Sequence, residues 1–256
     1  MTTGNRPLIL VSNDDGLYAK GIAELIDALL PMADLVVVAP DGARSGASCS
    51  ITSNAPLHYC LVEEEPEIEI YKCNGTPVDC IKLGLSQVLT RRPDLVVGGI
   101  NHGDNSTVNV HYSGTMGVVI EGCLKGIPSI GFSLCSYDPD ADFSAAKPYI
   151  RLIVERTLER GLPAGTCLNV NFPDTRDIKG VKICRQTFGV WTNEFYRTQH
   201  PRGGHYFWMV GEYKNLEPGV EGSDQWALEN GYVAITPTQI DMTAYSLLDD
   251  LKGWGL

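Results

Sequence analysis

The chain lacks any apolar run long enough to cross a bilayer, and its mean hydropathy is only -0.06. A membrane-spanning protein is therefore excluded. No basic segment followed by an apolar stretch opens it, so no secretory signal is read, and residues 1–6 are expected to form a short disordered lead. Positive charge is scarce: 20 Lys and Arg face 31 Asp and Glu, for a net charge of -11. A nucleic-acid polymer would need a basic stripe, which is missing. An anionic ligand would approach against the overall field unless a local cation or a helix N-terminus corrected it. The eight cysteines (Cys49, Cys60, Cys73, Cys80, Cys123, Cys135, Cys167 and Cys184) include no CxxC pair. They read as reduced thiols of a cytoplasmic protein rather than a disulfide framework or zinc site. Three phosphate and acyl-transfer signatures are also absent: GxxxxGK[ST], GxGxxG after the first strand, and GxSxG. Their absence argues against a P-loop enzyme, a dinucleotide fold and a serine hydrolase.

What is present is an α/β pattern. At 256 residues and 43% hydrophobic, the chain can bury the core of one large domain. Buried strands are predicted at Leu8–Ser12, Asp34–Ala39, Asp94–Gly98, Ser129–Leu134, Cys167–Phe172 and Tyr232–Thr236. Helical spacing is predicted over Gly21–Leu30, Val78–Leu89, Thr115–Lys125, Ala145–Arg160, Ser223–Asn230 and Met242–Leu248. Strands alternating with helices predict a Rossmann-like, mostly parallel sheet with helices on both faces. From roughly 180 to 231 the pattern changes. Val181–Gln186, Gly189–Tyr196 and His205–Gly211 read as aromatic, Gly-rich β-hairpin material. This excursion is expected to be either an arm packing on a second subunit or a flap over the site.

The chemistry gathers at strand ends, where ligands of open α/β sheets bind. The first strand runs into Asn13-Asp14-Asp15-Gly16. Two adjacent carboxylates repel each other, and burial raises the cost, unless a cation neutralises them. The alternative is a solvated turn capping the next helix. The second strand leads into DGARSGAS, with Ser45 and Ser48, and the third into GGIN, ending at Asn101. Asp14, Asp15, a serine hydroxyl and an asparagine oxygen form a hard set suited to Mg²⁺, Mn²⁺ or Ca²⁺. Tyr112-Ser113-Gly114-Thr115-Met116-Gly117 opens a helix, and its small residues expose N–H groups to an anion; the plain alternative is a helix cap. Arg44 reads equally as an anion contact or a surface ion-pair residue. His102 and His111 flank the third loop and are candidates for acid–base work.

Taken together, ILVSNDDG, VVVAP with RSGAS, NGTPVDCIKLG, DLVVGGINHGDN and YSGTMGVVIEG, in this order, resemble the SurE family. These stationary-phase survival proteins are metal-dependent 5′/3′-nucleotidases. The resemblance is close over residues 8 to about 135 and looser as far as TPTQIDMTAY. It implies a metal held by Asp14, Asp15, Ser45 and Asn101, with Asp14 and Asp15 also catalytic. It implies phosphate contacts at Asn105, Ser113, Gly114 and Thr115. It further implies hydrolysis of nucleoside monophosphates with Mg²⁺ or Mn²⁺ (Ca²⁺ able to occupy the site), and a homo-oligomer, dimer or tetramer, built by exchanging a C-terminal extension. Two departures stand out. Val118-Val119 replaces a small pair, which predicts a packing change only. Thr107–His111 differs from the common pattern, which predicts an altered base or ribose preference. Two other functional readings share these loops: a nucleotide or metal sensor without turnover, and a phosphatase working through an aspartyl-phosphate.

Overall fold

The computed structural model describes residues 6–255. The first half alternates strand and helix: β1 (Leu8–Ser12), α1 (Lys20–Leu29), β2 (Asp34–Pro40), β3 (Tyr59–Glu65), β4 (Ile68–Cys73), α2 (Pro77–Leu83), β5 (Leu95–His102), α3 (Gly114–Leu124), β6 (Ser129–Leu134), α4 (Lys147–Arg160) and β7 (Thr166–Phe172). The second half holds β8 (Val181–Ile183), β9 (Gly189–Thr192), β10 (Phe195–Gln199), β11 (His205–Met209), β12 (Glu212–Asn215), α5 (Asp224–Glu229), β13 (Val233–Gln239) and α6 (Leu248–Lys252). Nine strands form one sheet in the order β3-β4-β2-β1-β5-β6-β7-β13-β8. It is mostly parallel, with antiparallel pairs at β3–β4 and β7–β13.

The central strands β1, β2 and β6 are buried on both faces, and the Val, Ile and Leu runs of β1 and β2 show it in the sequence. Alternate residues of β1 point to opposite layers. Ile9 and Val11 pack with Leu25 of α1 and with Ile150 and Val154 of α4, whereas Leu8 and Leu10 pack with Cys80 and Ile81 of α2 and Val118 of α3. Helix α2 starts where the sequence is most explicit. The Thr76 hydroxyl accepts from the Asp79 N–H at 3.1 Å, the Asp79 carboxylate accepts from the Thr76 N–H at 2.9 Å, and Pro77 takes the first turn. The sheet reverses direction of growth at β1, which lies between β2 and β5. The crevice outside the carboxyl ends of β1 and β5 is therefore the topological switch point.

Several elements depart from the sequence reading. β3 and β4 were not predicted. β3 is exposed along its whole length and rich in glutamate, so it carries no alternating apolar signal. The helix expected over Val78–Leu89 ends at Leu83 and widens into a π-turn at Gly84–Val88. β5 runs on to His102 through a bulge between Gly98 and Asn101. The stretch Val181–Gln186 is not hairpin material: β8 pairs parallel with β13 at the edge of the main sheet. Outside that sheet are two small ribbons, β9–β12 and β10–β11. They divide at Asn193, whose φ of 51° turns the chain. Instead of one helix over Met242–Leu248, a 3₁₀ turn at Tyr245–Leu247 precedes α6. Of the expected disordered lead, residues 1–5 lie outside the described residues. Arg6 is held in place, pairing with Asp34 at 2.9 Å and donating to the Leu30 and Ala33 carbonyls.

Candidate active site

The end of β1 turns sharply into α1. The Asn13 amide donates to the Gly16 carbonyl at 2.9 Å, and its own side-chain oxygen is buried without a partner. The turn places Asp14 inside, 4% exposed, and leaves Asp15 half-buried. Three other segments close on this pair. The Arg44 N–H donates to the Asp14 carbonyl at 2.6 Å, which pins the loop carrying the exposed Ser45 against the turn. The His102 N–H donates to the Asp15 carboxylate at 3.0 Å, which brings the end of β5, with Asn101 next in sequence, to the turn. The Thr115 hydroxyl and the Gly114 N–H donate to the two Asp14 oxygens at 2.5 and 3.2 Å. Segments 14–15, 44–45, 101–102 and 113–115, far apart along the chain, thus meet at the switch point.

Glycines permit two of these approaches. A Cβ on Gly21 would lie 2.0 Å from the Ile100 carbonyl oxygen, so only glycine lets α1 press against β5 beside Asn101. A Cβ on Gly114 would lie 2.7 Å from that of Asp14. Asn101 donates its amide to the Gly103 and His102 carbonyls at 2.6 and 3.2 Å, which turns its side-chain oxygen into the fixed acceptor of the pair.

The electrostatics are unbalanced. Asp14 and Asp15 receive hydrogen bonds from neutral donors alone. Burial, with the Asp15 charge adding to it, pushes the Asp14 carboxyl up from 3.8 to about 6, against the pull of Thr115 and Gly114. Asp15 is also raised, chiefly by burial. Such a pair takes up a proton or a cation. The segments meeting there carry oxygen groups, the two carboxylates with the side chains of Asn101 and Ser45, and the buried Asn13 oxygen one residue away has no hydrogen-bond partner among the described residues. This set fits a hard divalent ion.

The expected phosphate residues are placed differently from one another. Ser113 caps α3, accepting the Met116 N–H at 3.0 Å, and keeps its hydroxyl proton. The Thr115 hydroxyl and Gly114 N–H, expected to face phosphate, donate to Asp14. Asn105 is buried in a polar web. Its N–H donates to Asn171 at 2.8 Å, its amide to Ser133 at 2.8 Å, and its carbonyl accepts from Asn169 at 2.7 Å. Alternate asparagines inside an otherwise apolar strand, LNVNF, are the visible sequence sign of this web, which was not among the expectations above. The His102 ring has Nδ1 3.0 Å from the Asp138 carbonyl and stands edge-on to Phe143. Arg44 pairs with Asp41 at 2.9 Å and is a surface ion pair. Val118 and Val119 are fully buried on α3, a packing role as expected. A cavity of about 730 Å³ opens beside the loop that follows β5, lined among others by Asp104, Thr107, Asn109, Trp191 and Tyr213.

Comparison with known proteins bears directly on these loops. The family model described as "Survival protein SurE" matches residues 9–193, which include every one of these segments. The chain belongs to the SurE family. A protein named 5′-nucleotidase SurE from Phocaeicola vulgatus is 65% identical over 251 residues, 98% of each chain. One of the same name from Bacteroides thetaiotaomicron is 61% identical over 249 residues, 97% of this chain and 96% of the relative. The crystal structure of the SurE protein from Aquifex aeolicus superposes with a TM-score of 0.84 at 36% identity, covering 98% of this chain and all of that one. The SurE fold of the solved structure and the α/β architecture described above therefore agree.

Proposed function

We propose that this SurE-family chain is a 5′-nucleotidase that hydrolyses nucleoside monophosphates to nucleoside and phosphate, with 3′-monophosphates as a further substrate. One observation carries the reading: three oxygen-bearing segments converge on two adjacent, poorly neutralised carboxylates at the switch point of the sheet. Asp14, Asp15, Ser45 and Asn101 would hold a divalent ion, Mg²⁺ or Mn²⁺, with Ca²⁺ able to occupy the same oxygens. When bound, such an ion neutralises phosphate charge and lowers the pKa of water.

The chain's own groups supply the rest. Thr115 and Gly114 orient Asp14 and keep both its oxygens engaged. Asp15 has only one oxygen so engaged, which leaves the other to take a proton from an attacking water. Ser113 and the first turn of α3 face an incoming phosphate with a hydroxyl and the positive end of a helix of 11 residues. Asn105, locked by its web with Asn169, Asn171 and Ser133, would be the further phosphate contact. Positioning and charge neutralisation are what phosphoryl transfer chiefly requires.

The exposed apolar faces of β10 and β11, with Tyr196 65% and Trp208 61% accessible, support a homo-oligomer in which this ribbon meets another subunit, as a dimer or tetramer. All eight cysteines are free, which supports a cytoplasmic setting. Among the described residues no helix is long and apolar enough to cross a membrane. The test is a panel of 5′- and 3′-nucleoside monophosphates against Mg²⁺, Mn²⁺, Ca²⁺ and EDTA, reading free phosphate. Release that needs a metal and is lost in Asp15→Asn supports the reading. No release with any metal, or full activity in Asp15→Asn, refutes it.

A further inference from the structure

Asp224 is the most completely enclosed acid of the chain, with 0% exposure, and nothing in the proposed reaction uses it. It sits at the first position of α5 and its partners are four neutral donors. One carboxylate oxygen accepts the Thr187 N–H at 2.9 Å, the Thr187 hydroxyl at 2.5 Å and the Gln225 N–H at 2.8 Å. The other accepts a single donor, the Thr107 N–H, at 2.9 Å across 117 positions of sequence. A buried carboxyl group is tolerated only where several hydrogen bonds replace its water.

Thr107 is also unusual. Its φ is 54°, a left-handed conformation that a β-branched residue rarely adopts. It begins the 3₁₀ turn Thr107–His111 and lies two residues beyond Asn105. Asn105 is in turn held by Asn169 and Asn171 from β7. The segment 105–107 is therefore clamped at one end by amides and at the other by the Asp224 carboxylate.

We infer that Asp224 is a positioning residue of the active site: its carboxylate holds Thr107 in the left-handed conformation that sets Asn105 toward the phosphate. The inference rests on the nucleotidase reading above. The same carboxylate grips Thr187 just before β9, so the root of the β9–β12 ribbon and the phosphate-facing loop share one anchor.

The chemistry provides a selective cut. In Asp224→Asn the side-chain oxygen turns to the three donors of Thr187 and Gln225. The new NH₂ then faces the Thr107 N–H, and only the loop contact is lost. Thr187→Val removes the Thr187 hydroxyl from the same hub but leaves the Thr107 bond intact. Both variants are assayed with AMP and Mn²⁺, for melting temperature, kcat, KM and inhibition by inorganic phosphate. Both should lower the melting temperature. Asp224→Asn alone should lower kcat/KM by about tenfold to a hundredfold, the range for a displaced positioning contact, and weaken phosphate inhibition about as much. Thr187→Val should keep wild-type kinetics. Adding Thr107→Gly to Asp224→Asn should restore kcat/KM to within about fivefold, because glycine adopts the left-handed φ unaided. If Asp224→Asn alone does not fold, this double variant is read in its place against the same limit. Equal kinetic losses in Asp224→Asn and Thr187→Val, or no recovery with Thr107→Gly, overturn the inference. An inactive wild-type protein instead overturns the nucleotidase reading, so the two failures are separable.

Discussion

Replacing Asp14 by asparagine should make the metal-free protein more stable at neutral pH while abolishing its response to metal. The folded Asp14 carboxyl lies at about 6, above its ordinary 3.8. Folding therefore favours its protonated form. The stability it contributes is complete below about 3.8 and is lost as the pH rises through about 6. Each pH unit of displacement corresponds to about 1.4 kcal/mol, so the ionised, metal-free site costs about 3 kcal/mol at neutral pH. Asparagine is isosteric and uncharged. Its oxygen can take the Gly114 N–H, and its NH₂ can donate to the Thr115 oxygen, so both hydrogen bonds survive in altered form. For a chain of this size 1 kcal/mol moves the melting temperature by about 2–4 °C, so Asp14→Asn should melt several degrees higher in EDTA at neutral pH. Its advantage should vanish at acid pH, where the wild-type carboxyl is already protonated. Added Mn²⁺ should raise the wild-type melting temperature and leave the variant unmoved. The assay is a thermal melt of both proteins across pH, with EDTA and with Mn²⁺. A variant less stable than wild type in EDTA at neutral pH, or one that still gains from Mn²⁺, would show that Asp14 is not an uncompensated charge awaiting a cation.

Three further outcomes are expected, two around the same centre and one at the exposed ribbon. Thr115→Val removes the hydroxyl that orients Asp14 and should cost about tenfold to a hundredfold in metal affinity or activity, read by titrating Mn²⁺ against phosphate release. Gly21→Ala drives a Cβ to within 2.0 Å of the Ile100 carbonyl; the strain should cost about 1–3 kcal/mol in a thermal melt and shift Asn101 enough to lower activity at temperatures where the protein is still folded. Replacing β10, β11 and their connection (residues 195–209) by a short Gly-Ser turn should lower the oligomeric mass in light scattering while the nine-strand sheet still melts cooperatively.

Much of this architecture is written locally. LILVS and DLVVVAP are β-branched runs too apolar for any surface, so they read as central strands before any partner is known. Thr76-Pro77-Val78-Asp79 carries its own helix start. Asn13-Asp14-Asp15-Gly16 announces charge at a strand end. β3 was illegible because its stability comes from pairing with β4, not from its own side chains, all of which face solvent. β8 was misplaced for the same reason: a three-residue strand is defined by the neighbour that accepts it, here β13.

The amino-acid order alone determined which groups this protein could use: two adjacent acids, oxygen donors at three strand ends, small residues at a helix start, and no cysteine or histidine cluster. Local chemistry suffices for that, because residue types and spacing limit what a strand end can bind. Only the tertiary structure decided how those groups are employed. It brought the Thr115 hydroxyl and Gly114 N–H to Asp14, enclosed Asn105 among Asn169, Asn171 and Ser133, and brought Asp224 to Thr107. A hydrogen bond forms with whichever acceptor the packed core places within reach, and across a hundred residues that choice belongs to the fold.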